Sequence, residues 1–138
     1  MSTLIFEDTH LSIFHYEDKN YLYLRWNGLI GSERFRALAD KIITAVEKTK
    51  TDRLLSDNTN WKNISPNDQG WAANQWFPRV EKKGIKKLAT VLSTDYFNRL
   101  AERSIEDMAV LDCMQIKNFN SVGQASEWLI KTSEKINC

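Results

Sequence analysis

Residues 21–55, YLYLRWNGLIGSERFRALADKIITAVEKTKTDRLL, decide the fold of this 138-residue chain. The first six are aromatic and aliphatic in the alternating pattern of a strand, in which Tyr21, Tyr23 and Arg25 share one face. From Phe35 to Val46, apolar residues recur at the i, i+3, i+4, i+7, i+11 spacing of an amphipathic helix. A short buried strand follows at residues 54–55. The segment therefore predicts a strand–helix–strand unit.

Further strands are predicted on both sides of this unit, one from its aromatic and β-branched residues and one from a nearly continuous apolar run. Residues 11–16 predict a strand antiparallel to residues 21–26, and residues 87–92, KLATVL, predict a strand buried on both faces of a parallel sheet. A helix beginning at Pro66 is expected to end or kink at Pro78. A third helix has a core stripe of Phe97, Leu100, Ala101, Ile105 and Met108. A last strand within 114–119 and a final helix complete the order β-β-α-β-α-β-α-β-α. This order predicts an α/β fold with a mixed, mostly parallel sheet flanked by helices.

Composition limits the classes of function. The 19 basic and 18 acidic residues almost cancel, so no nucleic-acid partner is expected. No apolar run has the length of a membrane span, and the N-terminus is too short and acidic for a signal peptide. Neither Cys113 nor Cys138 has metal-ligand spacing, and no nucleotide-binding or catalytic motif occurs. We therefore expect one cytoplasmic domain over residues 1–138, without cofactor, metal or enzymatic activity.

Several phrases resemble a known group of proteins. They are YLYLRWNGLI, RLLSDNTN, SPNDQGWAANQWFP, GIKKLATVLSTDYFNRLA and FNSVGQASEWL. Together they resemble small bacterial proteins with the SpoIIAA-like fold. This is the fold of STAS domains, the anti-sigma-factor antagonists, and in larger form of CRAL-TRIO lipid-transfer domains. The resemblance implies a SpoIIAA-like domain with a role in signalling or protein interaction, and a regulator or kinase as its partner.

The phosphorylation motif of the antagonists is not present. Those proteins have an Asp-Ser-Ser-Gly phrase where the third strand meets its helix, and a kinase modifies a serine there. Residues 54–66 contain no such phrase, and Ser65 matches only by its position at the helix start.

Candidate sites lie where the predicted strands end. Ligands of open α/β sheets bind outside the carboxyl ends of the strands, and helix N-termini there favour anions. Four predicted N-caps share this edge: Ser32, Ser65, Thr94 and Ser121. Ser65, with Asp57 and Asn58, is the predicted phosphorylation or anion site. In the alternative interpretation, Ser65 only caps its helix and the other two hydrogen-bond their own turn.

A second candidate surface contains aromatic residues. The predicted partner or ligand surface consists of Trp61, Trp71 and Asp68. Trp61 lies in a predicted loop, and Trp71 lies on the outer side of its helix. The alternative is that the tryptophans pack beneath the preceding loop.

Two main hypotheses follow. The first is a non-catalytic signalling or protein-interaction module, regulated by phosphorylation at a helix N-terminus. The second is a small-molecule or lipid-binding domain related to CRAL-TRIO folds, with Trp61 and Trp71 lining a groove. An enzyme with residues scattered over the strand ends ranks last. The aromatic strand at 21–26 also suggests a homodimer formed by edge pairing.

Overall fold

Antiparallel and parallel pairing meet within one sheet. The computed structural model describes residues 2–131, which contain six strands in the order β1-β2-β3-β4-β5-β6. The strands are β1 (Ser2–Glu7), β2 (Leu11–Tyr16), β3 (Tyr21–Leu29), β4 (Arg53–Lys62), β5 (Lys87–Val91) and β6 (Gln115–Phe119). The helices are α1 (Ser32–Thr49), α2 (Pro66–Trp71), a π-helical segment (Ala72–Trp76), α3 (Phe77–Lys82), α4 (Tyr96–Met108) and α5 (Val122–Ile130).

The pairing confirms the predicted mixed, mostly parallel sheet. β1, β2 and β3 pair antiparallel, whereas β3, β4, β5 and β6 pair parallel. Right-handed crossovers between consecutive neighbouring strands place their helices on the same face of the sheet. Accordingly, residues of α1, the π segment, α3 and α4 share one hydrophobic core. Residues of α5 form a second, smaller core on the opposite face.

The division into two faces follows the predicted alternation along β3. Leu22 and Leu24 are buried in the larger core, and Tyr21 belongs to the smaller one. This alternation makes the register of β3 specific, because a shift by one residue would exchange the two faces.

Two expectations about the edge of the sheet are corrected. The first strand, β1, was not predicted, because its largely exposed residues give only a weak alternation. The strand at 21–26 is not an edge strand, since β3 lies between β2 and β4. Edge pairing of two copies through residues 21–26 is therefore wrong; the homodimer itself stays a prediction.

The helix starts gather along one edge of the sheet, as predicted. Helices α1, α2, α4 and α5 each follow the carboxyl end of one of the parallel strands β3 to β6. Ser65 and Ser121 are N-caps, accepting hydrogen bonds from the backbone N–H groups of Asp68 and Gln124. The other two caps differ from the prediction.

The α1 cap is Gly31, with Ser32 as the first helical residue. The α4 cap is Asp95 instead of Thr94, and its side chain accepts a hydrogen bond from the Asn98 N–H at 2.9 Å. Carboxylates are at least as good as hydroxyls at this position.

The predicted irregularity near Pro78 takes the form of a π turn. Pro78 lies in the first turn of α3, and the five residues before α3 form the π segment. The helix therefore changes its winding ahead of the proline. Within residues 2–131, no helix has the length and apolarity needed to cross a membrane.

Candidate functional site

Helix α4 presents its polar side to the interior. Asn98, Ala101, Glu102 and Ile105 are its buried residues. Three residues of the predicted core stripe are instead exposed: Phe97 by 74%, Leu100 by 48% and Met108 by 39%. The predicted stripe of α4 is therefore confirmed for Ala101 and Ile105 and wrong for these three residues, and the helix buries an amide and a carboxyl in their place.

A bulge in β4 determines which of its side chains face α4. Between Arg25 and Asn27 of β3 there is one residue, but between their partners Asp57 and Asn60 there are two. An extra residue in one strand changes which positions face each side of the sheet. As a result, both Asn58 and Trp61 belong to the side that faces the crossover helices.

The polar side chains of β4 and α4 hydrogen-bond to one another. Asn58 Nδ2 donates to Glu102 Oε1 at 2.6 Å, and Ser56 Oγ donates to Asn58 Oδ1 at 2.7 Å. The backbone N–H of Ser93, between β5 and α4, donates to Glu102 Oε2 at 3.2 Å. Glu102 thus connects α4 to the ends of two strands.

A second carboxyl lies one helical turn further along α4. Glu106 Oε1 accepts a hydrogen bond of 2.9 Å from Asn118 Nδ2 on β6. Asn118 Oδ1 is buried and makes no hydrogen bond within the described part of the chain, whereas the Asn98 side chain favours the charged form of Glu102. Buried polar atoms without partners are unusual, because each costs about 1–3 kcal/mol.

A cavity of about 60 Å³ adjoins these groups. Its walls include Glu102, Glu106 and Asn58, aromatic side chains of β3, β4 and α1, and part of the π segment. Trp26 and Trp61 stack with their ring centroids 4.4 Å apart. Single π turns within helices occur frequently at functional sites.

The cavity is nearest to solvent between α3 and α4. Of the residues that line it, only Phe77 and Glu106 are half-exposed, and the others are buried. Glu106 therefore lies at the solvent end of the cavity and Glu102 lies inside it.

Burial changes the acidity of both carboxyls. Removal from water raises the pKa of Glu102 to about 7, although hydrogen bonds from Asn58 and Ser93 favour its charged form. Burial also raises the pKa of Glu106, against the opposing hydrogen bond from Asn118. Near neutral pH Glu102 is thus divided between its neutral and charged forms.

The structure separates the three residues of the predicted phosphorylation or anion site. Ser65 is half-buried and its hydroxyl is engaged in the α2 cap. Asn58 faces α4, whereas Asp57 accepts hydrogen bonds from the hydroxyl of Tyr23, in the smaller core, and from Thr59. Successive side chains of a strand point to opposite faces, so Asp57 and Asn58 do not form one site with Ser65.

The predicted aromatic surface is also divided. Trp61 is only 6% exposed and packs in the larger core, because β4 extends through residue 62 instead of ending in a loop. Trp71 is half-buried, with its ring edge-on to Phe35 and the guanidinium of Arg36 over its face at 5.3 Å.

Asp68 joins α1 to α2. It is 3% exposed, accepts a hydrogen bond of 2.8 Å from Ser32 Oγ, and pairs with Arg36 Nε at 3.4 Å. These contacts make Asp68 part of the interior instead of an exposed surface.

Sequence reasoning missed the two carboxyls of the site. Neither Glu102 nor Glu106 is among the candidate site residues predicted from the sequence. The available signal was the spacing of Asn98, Glu102 and Glu106, which places all three on one side of a helix. Within residues 2–131 no cluster of three His, Cys, Asp or Glu side chains is arranged to hold a metal ion.

The outer side of α4 contains exposed apolar residues. Tyr96 is 67% exposed, and its ring lies edge-on to that of Phe97, with the centroids 5.6 Å apart. Leu100 extends this surface by one turn. We call Tyr96, Phe97 and Leu100 the α4 patch. The starts of α4 and α2 are neighbours, because the backbone N–H of Ile64 donates to Asn98 Oδ1, on the buried side of α4, at 3.2 Å.

Comparison with solved structures shows the fold. An uncharacterized protein of the DUF3478 family from Shewanella loihica PV-4, with a SpoIIAA-like fold, matches with a TM-score of 0.58. The match covers 91% of this chain and 98% of that chain at 19% identity. This protein therefore has the SpoIIAA-like fold, as the resemblance implied. No protein-family model and no curated protein match the sequence.

Proposed function

We propose that this SpoIIAA-like protein is a non-catalytic, STAS-like interaction module that binds a protein partner through the α4 patch and the adjoining start of α2. The observation that supports the proposal is the orientation of α4, which places three large apolar side chains in water. Contiguous exposed apolar surface at the end of a helix is typical of a protein-binding site. A partner that covers these side chains removes their apolar area from water, which stabilises the complex.

The proposal includes regulation at Ser65. Ile64, its neighbour, hydrogen-bonds Asn98 in the first turn of α4, and the α4 patch begins in the same turn, so a phosphate on Ser65 would lie near the start of α4. The added charge would also lie near the buried carboxylate of Asp68, which opposes the modified state. Phosphorylation at Ser65 is therefore expected to weaken the α2 cap and to change partner binding.

A partner-capture experiment with matched variants tests this proposal. Wild type, Phe97→Ser, Ser65→Asp and the control Val110→Ser are compared for quantitative retention of proteins from the source cells. Val110 is 84% exposed but lies beyond the other end of α4, roughly 20 Å along a helix of this length. We expect Phe97→Ser to lose specific partners that Val110→Ser retains. Identical partner profiles for all four proteins would rule the proposal out.

A second candidate function is the binding of a small molecule in the cavity beside Glu102. The cavity, its π-helical wall and the carboxyl of Glu102 that lines it support it. Xenon enters dry apolar cavities, so ¹²⁹Xe NMR of the protein provides a test that needs no knowledge of the ligand. We expect a saturable xenon shift that is lost when Ala72, a buried residue of the π segment that lines the cavity, is enlarged to Leu. A xenon signal equal to that of buffer would reject this function.

A further inference from the structure

The cavity beside α4 has negative groups and no positive ones. Glu102 inside it and Glu106 at its solvent end are one turn apart, and within the described residues no lysine or arginine lines it. An ionised carboxylate removed from water is strongly disfavoured unless a cation pairs with it. Glu102 therefore lines this cavity with hydrogen-bond donors on both of its oxygens but with no cationic partner among the described residues that line it.

The remaining walls suit an organic cation better than a metal ion. Trp26, Trp61 and Phe35 form an aromatic group, with Phe35 5.4 Å from the Trp61 centroid. Aromatic faces, above all those of tryptophan, attract ammonium groups and also contact their alkyl substituents. Calcium and magnesium require several oxygen ligands at short distances, whereas most of this lining is hydrocarbon.

We propose that the cavity binds a small alkylammonium ion of about three or four non-hydrogen atoms, with its nitrogen against Glu102 and its alkyl groups against Trp26 and Trp61. The volume of about 60 Å³ sets the size, since it corresponds to only a few water molecules. Glu106, half-exposed at the solvent end, would be the first group to meet the incoming cation. This inference rests on the second candidate function, ligand binding in the cavity, and is independent of the α4 patch.

Titration followed by NMR tests the charge of the ligand. The probes are trimethylammonium chloride and isopropanol, which has the same number of non-hydrogen atoms and similar branching but no charge. We expect trimethylammonium to shift the indole N–H signals of Trp26 and Trp61 saturably, with a dissociation constant of roughly 0.1–10 mM, as befits so small a ligand. Isopropanol should bind at least about tenfold more weakly, and tetraethylammonium, which is too large, should not bind.

Variants locate the binding site. Glu102→Gln should weaken trimethylammonium binding by at least about tenfold, and the control Glu47→Gln, at an exposed ion pair with Lys83, should leave it unchanged. If Glu102→Gln does not fold, two other measurements take its place. One is trimethylammonium binding by Glu106→Gln, and the other is the calorimetric proton release of the wild type on cation binding. Because Glu102 is divided between two protonation states near neutral pH, cation binding should release a fraction of a proton at about pH 7.

Each outcome of these experiments either supports or overturns the cation proposal. Equal binding of isopropanol and trimethylammonium, or tight binding by Glu102→Gln, would overturn the cation proposal while leaving the cavity as a ligand site. No proton release from the wild type would also overturn it. Absence of binding by both probes together with absence of a xenon signal would overturn the cavity site as a whole. Selective binding of trimethylammonium that depends on Glu102 supports the proposal.

Discussion

Burial of Glu102 predicts a specific dependence of stability on pH. Its pKa is about 7 in the folded protein, against 4.5 for the unperturbed group, so the folded state holds this proton more tightly than the unfolded state. The two pKa values differ by about 2.5, and each pKa unit corresponds to about 1.4 kcal/mol of free energy. The group is only 4% exposed, so solvent screening reduces the effect little. We expect ionisation of Glu102 to cost about 3 kcal/mol of stability.

The sign follows from the raised pKa. Below about pH 4.5 Glu102 is protonated in both states, and its full stabilising contribution is present. Stability falls as the pH rises through the window from about 4.5 to about 7, because only the unfolded state ionises readily there. Above about pH 7, ionisation of Glu102 causes no further change in stability.

Urea unfolding followed by tryptophan fluorescence measures the effect. Wild type and Glu102→Gln are compared from about pH 4 to about pH 8, and the difference between their free energies of unfolding isolates Glu102. Glutamine does not ionise, so the wild type should lose about 3 kcal/mol relative to the variant across this range. The control Glu47→Gln should change by less than about 0.5 kcal/mol, as is usual for surface substitutions. A difference that stays constant with pH, or that changes in the opposite direction, would refute the assignment of Glu102 as a buried, raised-pKa group.

Three further variants test the placement of other residues. Trp61→Ala should lower the free energy of unfolding by about 3–5 kcal/mol in a urea titration, because the side chain is buried in the core; a loss below about 1 kcal/mol would contradict that burial. Ser65→Ala should cost about 1 kcal/mol through loss of the α2 cap, and a Ser65→Gly variant that costs just as much would argue against capping. Phe97→Ser should change stability by no more than about 0.5 kcal/mol, since the ring is exposed; thermal unfolding would detect the larger loss that a buried ring predicts.

Elements whose periodicity agreed with their packing could be predicted from the sequence. The strand at 11–16 and the start of α1 near residue 32 lie where the pattern placed them. Ser121 caps α5 as predicted, because a hydroxyl at the start of a helix accepts a hydrogen bond from a free backbone N–H of the first turn. Local chemistry and tertiary packing favour the same structure at these positions.

The length of β4 could not be predicted in this way. Residues 56–60 are Ser, Asp, Asn, Thr and Asn, which favour turns because their side chains compete for backbone hydrogen bonds. In the folded protein the neighbouring strands β3 and β5 supply those bonds instead. Non-local pairing therefore overrides a local preference, and it moves Trp61 from a predicted loop into the core.

The orientation of α4 was unpredictable for a different reason. Its sequence contains two overlapping faces that share Ala101 and Ile105, and hydrophobicity alone favours the one with Phe97. Turning that face inward would bury apolar area worth about 1.5–3 kcal/mol for the phenylalanine and would return Glu102 to water. In the observed orientation Phe97 stays exposed and Glu102 stays buried, so neither stabilising effect is present. This orientation is held by the Asp95 cap, by the bond from the Ile64 N–H to Asn98, and by the bonds to Glu102.

Local choices that oppose the stability of a fold are expected where function requires them. In this protein two such choices occur on one helix, since α4 exposes its aromatic residues and buries its carboxyl. The carboxyl of Glu102 accepts hydrogen bonds from Asn58 and Ser93, yet in the described part of the chain no lysine or arginine lines the cavity beside it. An unselected surface would not account for apolar residues exposed together at the edge where SpoIIAA-like helices begin. The two proposed binding functions would account for both features of α4.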